Sequence, residues 1–385
     1  MAHNSMAVSG TATAGKYKAL SRRIDATDTP VIDFTRRVMA SRKDALSLAQ
    51  GIVHWGPPPA ALARLTSRLV ADPAAMSAYS PNEGLPALRA ALRAKVTERN
   101  KLPHAFINAM LSLVDADDRV VLFRPYYFDH LMALQMTGSA ERVVLGECDP
   151  ASMRPDLDWL ERELAGPAPP RMVVAVNPCN PTGVLLTRAE LDRLAALCGR
   201  AGAWLLLDNT YEDFVFAPGG EHYCPAGPHV VHLFSMSKVQ DAVCICAPQP
   251  SQLLALEALG PDSREYVEGL IGQLEANRDK LRAALAPLEP HVAGGEGAIY
   301  LWARLPTDPR DGKPLDDRAA VEWLVAQAGV CVIPGSACGM PGYIRCSYAN
   351  LPPATFPTAT ARLRAGLEHL VAHGMTDMPP ATTKQ

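Results

Sequence analysis

The sequence predicts an α/β fold: a mainly parallel sheet flanked by helices, with a smaller α+β domain following it. Three observations carry that prediction. Four short apolar runs cross the middle of the chain, at 119–123 (RVVLF), 171–176 (RMVVAV), 204–208 (WLLLD) and 229–234 (HVVHLF). They show few alternating polar positions, so each reads as a strand buried on both faces, as in parallel sheets. Between the second and third, Thr187 and Glu190 form a T-x-x-E capping signal ahead of Leu191, Leu194 and Leu197 on one helical side. Strand, helix and strand at that spacing make a βαβ unit.

The last third changes character. Helical stretches at 251–259 and 266–288 lead to an apolar segment at 298–305 and an amphipathic run at 319–328. Residues 330–334 and 343–348 read as strands, and 359–373 as a closing helix. The expected organisation is an N-terminal arm over 1–45 that joins the small domain, a large domain over 46–245, and the small domain over 246–385.

Composition narrows the function. Thirty-seven basic and 40 acidic residues are interspersed and leave a net charge of −3, without the concentrated basic patch that nucleic acid or an anionic membrane requires. No apolar run reaches bilayer length, and no signal-peptide core opens the chain. The nine cysteines include no C-x-x-C and the ten histidines no H-E-x-x-H, so neither a disulfide framework nor a zinc site is expected. A cytoplasmic location follows; the acid-free, Ser- and Thr-bearing segment 1–23 leaves an organelle leader as the alternative. Proline is abundant, 34 of 385, but dispersed through turns.

Ligands of open parallel sheets sit at the carboxyl ends of the strands. All four predicted strands end in polar or aromatic segments: RPYYFDH (124–130), NPCNPTG (177–183), Asp208 with NTY (209–211), and SMSK (235–238). Taken singly, Asp208 could be a strand-end helix cap, Asn180 and Gly183 a turn, Tyr127 ordinary packing and Lys238 a solvated lysine. Arg345, between apolar neighbours in a predicted strand, demands an anionic partner if it faces inward. Together the segments suit pyridoxal 5'-phosphate, which needs a lysine for its imine, a carboxylate for its ring nitrogen, and groups for its phenolate oxygen and phosphate.

From Leu46 to about His373 the chain resembles the fold-type I, class I/II aminotransferases, and most of all the plant-type aromatic and methionine aminotransferases. The motifs are SLAQGIVHW, YSPNEGLPALR, RPYYFDH, NPCNPTG, LDNTYEDF, FSMSK, GGEGAIYLWA and YIRCSYA. The resemblance implies amino transfer between an aromatic or methionine-type amino acid and a 2-keto acid, in a homodimer. It implies that Lys238 is the imine lysine and proton shuttle, and that Asp208 pairs with the ring nitrogen. Tyr211 and Asn180 bond the phenolate oxygen, Tyr127 stacks on the ring and Ser235 meets the phosphate. Tyr79 reaches the phosphate of the neighbouring subunit, Arg345 grips the substrate carboxylate, and Gly51 lets substrate approach the backbone.

Two departures from the family pattern stand out. Upstream of the first strand the family carries another, ending in a turn whose amides cradle the phosphate; here 98–103 (ERNKLP) runs straight into 104–110 (HAFINAM). After Lys238 the family's glycine-rich turn, phosphate-binding arginine and next strand give way to 239–246 (VQDAVCIC). Both read as excised segments, so an incomplete sheet is expected, and an impaired or inert member that binds the cofactor poorly is one alternative. A pyridoxal phosphate-dependent lyase is another. Ser235-Met-Ser-Lys238 also fits the S-x-x-K of serine β-lactam hydrolases, but S-D-N and K-T-G are absent.

Overall fold

A computed structural model describes residues 27–73, 84–95, 112–138, 140–235 and 249–378. In chain order the principal elements are α1 (Val31–Ala40), β1 (Leu46–Ser47), α2 (Pro59–Ala71), α3 (Pro86–Lys95), β2 (Val120–Arg124) and α4 (Phe128–Thr137). Next come β3 (Val143–Glu147), α5 (Leu157–Leu164), β4 (Met172–Val176), α6 (Arg188–Ala201), β5 (Trp204–Asp208) and β6 (Val230–Leu233). The chain continues through α7 (Gln249–Ala258), α8 (Pro261–Ala284), β7 (Val292–Gly294), β8 (Tyr300–Arg304) and α9 (Asp317–Trp323). It closes with β9 (Val330–Cys331), β10 (Ile333–Pro334), β11 (Tyr343–Ser347) and α10 (Phe356–His373).

The four middle runs are parallel neighbours in a sheet of order β3-β2-β4-β5-β6. Their side chains are buried on both faces, as the unbroken apolar runs require. Val121, Val173, Leu205 and Leu207 pack against Leu160, Leu191, Leu194 and Cys198 of α5 and α6. Leu122, Val174, Leu206 and Leu233 meet Leu134 of α4 on the opposite face. Helix α6 starts at the expected capping box, where Thr187 and Glu190 satisfy each other's backbone amides, and stops at left-handed Gly202.

Strand β3 had no counterpart among the predicted runs. It lies at the sheet's edge with Leu145 exposed, and although 142–145 repeats the RVVL of the first run, Gly146 and Glu147 cut the apolar stretch to three residues. The segment at 330–334 also differs, since it splits into two strands on different sheets. Strand β9 pairs in parallel with β1, while β10 joins the antiparallel sheet β10-β11-β8-β7. The amphipathic run at 319–328 changes from α9 to a π-helical turn at Leu324–Ala328 and ends at left-handed Gly329.

A second core forms where α8 and α10 cover the antiparallel sheet. Val31, Phe34 and Val38 enter it from α1, at the i, i+3, i+7 spacing of one helical face. No helix of the described residues is long and apolar enough to cross a membrane.

Candidate active site

The loop after β4 is tied to the end of β5. Asn177 N donates to the Asp208 carbonyl at 2.8 Å, and Asn177 Oδ1 accepts from Leu186 N at 2.9 Å. Gly183, at φ +74°, closes that loop against β8, where a Cβ would lie 2.3 Å from the Tyr300 carbonyl. Only glycine combines that backbone with that approach.

Asp208 ends β5 as a buried carboxylate, 7% exposed. Its Oδ1 accepts from Thr210 N at 2.9 Å and Thr210 Oγ1 at 2.6 Å, and its Oδ2 lies 3.1 Å from His130 Nε2. Burial pushes this carboxyl up, but the bond and charge of His130 and the two bonds from Thr210 outweigh it, and the group is held below the usual carboxylate range. These contacts use three of about four acceptor positions on a carboxylate. His130, on the first turn of α4, was not among the expected site residues; the only sequence signal for it is its place at the end of RPYYFDH.

Tyr127 caps α4 and turns its ring edge-on to His130, with centroids 5.3 Å apart. Its hydroxyl donates to Asp129 Oδ2 at 2.7 Å. Burial pushes this phenol far above its ordinary value. Beneath it lies a small cavity lined by Tyr126, Tyr127, His130, Cys148, Val176 and Cys179. Burial raises both thiols, so they stay protonated at neutral pH.

A second cluster forms around Arg345 on β11, which is 2% exposed. Nη1 donates to Asn180 Oδ1 at 2.9 Å and Nη2 to the Ala49 carbonyl at 2.7 Å. Its Nε finds no partner, and no carboxylate pairs with the guanidinium among the described residues. The guanidinium carbon sits 4.3 Å from the Tyr300 ring centroid. The Tyr300 hydroxyl shares a 2.5 Å hydrogen bond with Tyr211, whose phenol burial and Tyr300 push well above its ordinary value. A Cβ on Gly51 would fall 2.1 Å from the Tyr300 hydroxyl. The space a side chain at position 51 would need is thus filled by a tyrosine from β8.

Asp208 and Tyr127 therefore stand together with His130, while Tyr211, Arg345 and Gly51 converge on Tyr300 and Asn180 is bonded to Arg345. The loop after β4 links the two clusters, with Asn177 bonded to the Asp208 carbonyl and Asn180 to Arg345. Ser235 is half-buried just past β6, whose Leu233 is the ladder partner of Asp208. Lys238, Tyr79, segment 1–23 and both departures from the family pattern lie outside the described residues. Among the described residues no group of three or more His, Cys, Asp or Glu side chains is placed to hold a metal.

A model of the class I and II aminotransferase family matches residues 43–239 and 233–363. The chain belongs to that family. This class I/II aminotransferase is 42% identical over 403 residues to an aromatic aminotransferase of Arabidopsis thaliana, covering 94% of this chain and all of that protein. It is 26% identical over 336 residues to an aspartate/prephenate aminotransferase of Thermus thermophilus, covering 75% of this chain and 81% of that protein. Among solved structures, the Thermus thermophilus aspartate aminotransferase with maleate superposes with a TM-score of 0.77 at 24% identity, over 92% of this chain and 100% of that one. An aromatic aminotransferase from Pyrococcus horikoshii superposes with a TM-score of 0.73 at 20% identity, over 87% of this chain and 99% of that one. At these identities the superpositions show the shared fold.

Two details bear on the departures noted in the sequence. The comparison with the Arabidopsis protein runs over 403 residues, more than the 385 of this chain, so the relative carries positions that no residue here fills. The two stretches matched to the family overlap at 233–239, the segment holding Ser235 and Lys238.

Proposed function

We propose that this aminotransferase moves amino groups between aromatic amino acids and 2-keto acids, with methionine as a further donor, using pyridoxal 5'-phosphate. Members of the family use this cofactor, and the aromatic preference follows the name of the Arabidopsis relative. The observation that carries the reading is Arg345. A buried guanidinium with an orphaned Nε and no acid beside it among the described residues costs stability unless an anion completes it. An amino acid or keto acid brings the required carboxylate to a fork suited to it.

The donor set fits the cofactor's ring. Asp208 keeps an acceptor position for a protonated ring nitrogen, while Tyr211 and Asn180 offer hydrogen-bonding groups for a phenolate oxygen. When bound, the cofactor supplies an electron sink. Asp208, held ionised by His130 and Thr210, keeps the ring nitrogen protonated. With the cofactor bound, Tyr127 would cover its ring, Ser235 would hold its phosphate, Arg345 would orient the substrate carboxylate, and Lys238 Nζ would take and return the proton. Gly51 leaves room for the Tyr300 side chain rather than for substrate itself. Tyr79 serves the phosphate of a second copy, so the working unit is a homodimer, and its place is the cytoplasm.

A second reading concerns this chain's grip on the cofactor. The unfilled positions against the Arabidopsis relative and the doubled match at 233–239 favour a chain shortened at the cofactor's phosphate end. Charge-assisted bonds lost there contribute about 1.5–3 kcal/mol each, so cofactor affinity falls while the ring-binding residues remain. One experiment addresses both readings: borohydride reduction with a series of pyridoxal phosphate concentrations, followed by peptide mapping. Modification of Lys238 that saturates at high cofactor supports both. Folded protein left unmodified at every concentration rejects the assignment of Lys238.

A further inference from the structure

Tyr300 lies within GGEGAIYLWA and is where the parts of the site meet. It opens β8, is 1% exposed, and faces three groups that the family reading treats separately. Its hydroxyl bonds to the Tyr211 hydroxyl at 2.5 Å and lodges against Gly51, where a Cβ would come within 2.1 Å. Its ring face carries the Arg345 guanidinium, with 4.3 Å from the guanidinium carbon to the centroid.

We infer that Tyr300 is a positioning residue of the substrate-carboxylate site: anchored by Tyr211 and the Gly51 socket, its ring holds the Arg345 guanidinium in the plane from which it grips a carboxylate. The inference deepens the proposed function and rests on Arg345 being the carboxylate group. A guanidinium is planar, so its fork points at a carboxylate only when that plane is fixed. The bonds to Asn180 Oδ1 and the Ala49 carbonyl fix two of its edges. Neither stops the plane from tilting about the line between them; an aromatic face against it does. The ring itself cannot slide, because its hydroxyl is held at the far end. Burial raises the Tyr300 phenol, with the charge of Arg345 and the bond from Tyr211 opposing, so it stays a neutral, π-rich ring at physiological pH.

Calorimetric binding of 3-phenylpropionate, an aromatic carboxylate without an amino group, tests this on the full chain without relying on turnover. Tyr300→Leu removes the face and should weaken binding about tenfold, whereas Tyr300→Phe keeps the face but frees it from Tyr211 and should weaken binding only about threefold. Arg345→Lys is the control for the underlying reading. If Arg345→Lys weakens binding and Tyr300→Leu does not, the positioning role is wrong while the carboxylate site stands. The role is also overturned if Tyr300→Phe loses as much affinity as Tyr300→Leu while melting like the unaltered protein. If the unaltered protein does not bind the acid, or Arg345→Lys binds it equally well, the assignment of Arg345 fails and the inference falls with it.

Discussion

Arg345 Nη1 donates to the Asn180 side-chain oxygen at 2.9 Å, joining a strand of the antiparallel sheet to the loop that ends a parallel one. Among the described residues the guanidinium is held by neutral oxygens and an aromatic face, with no carboxylate to balance its charge. Arg345→Lys retains the charge but loses the planar fork. The expected result is a fall of about 100-fold in kcat/KM, corresponding to one or two charge-assisted hydrogen bonds. The fall should be dominated by KM, with the melting temperature little changed. Steady-state kinetics with an aromatic donor checks it.

Asp208 owes its ionisation to its neighbours. His130→Phe removes the largest influence that lowers its carboxyl and leaves the burial that raises it. The depressed carboxyl contributes stability that is present above the unfolded pKa of about 4 and lost as pH falls through the lower folded value. The variant should lose part of that contribution, so its deficit against the parent is larger at pH 6 than at pH 3. Urea denaturation at the two values measures the difference. Activity should fall about tenfold as the carboxylate's hold on the ring nitrogen weakens.

Gly51 and Tyr300 compete for one volume. Gly51→Ala would bring a methyl within 2.1 Å of the Tyr300 hydroxyl, so the ring must shift, at a cost of about 1–3 kcal/mol. Tyr300→Phe removes the oxygen and leaves the ring carbon 3.2 Å from that methyl, a tight but tolerable contact. The double variant should therefore be more stable than the sum of the single changes implies. A double-mutant cycle by denaturant unfolding checks the coupling, and strict additivity would contradict the shared volume.

The parts legible in the sequence were those where one physical requirement dominates. A strand buried on both faces must be apolar throughout, so β2, β4, β5 and β6 showed themselves, as did the capped start of α6. Strand β3 was missed although 142–145 repeats RVVL, because Gly146 and Glu147 cut its apolar part to three residues, which an edge strand exposing Leu145 tolerates. At the candidate site, Asp208, Asn180 and Tyr211 drew notice because polar residues cluster at predicted strand ends, and Arg345 because it stands between apolar neighbours; their roles came only from the family resemblance. His130 and Tyr300 drew none: one sits inside an aromatic stretch, the other in an apolar strand, and each looks like ordinary core. Their roles come from tertiary neighbours 78 and 45 residues away, Asp208 and Arg345, which no local pattern encodes.

Behind the ends of β4 and β5, His222 makes folding depend on pH. Its Nε2 lies 3.0 Å from Asn209 Oδ1 and 3.3 Å from the Asn177 carbonyl, both acceptors, so the proton of the neutral ring belongs on Nε2. Nδ1 then faces the Cys224 sulfur at 3.9 Å, a weak partner for a second proton. Burial, with His232 adding to it, lowers His222 from 6.5 to about 4, against the backbone acceptor at Asn177 and the nearby Asp213. A histidine depressed in the folded state contributes fully above its unfolded pKa, and that contribution disappears as pH falls from 6.5 towards 4. The expected loss across this window is up to about 3 kcal/mol, because a tenfold change in proton affinity corresponds to about 1.4 kcal/mol. His222→Gln should be less stable at pH 7, where it gives up well-placed hydrogen bonds, yet lose less on acidification. A residual slope should remain from His232, which burial lowers in the same sense. Urea midpoints measured from pH 7.5 to 4 for parent and variant should converge as pH falls, and parallel curves would exonerate His222.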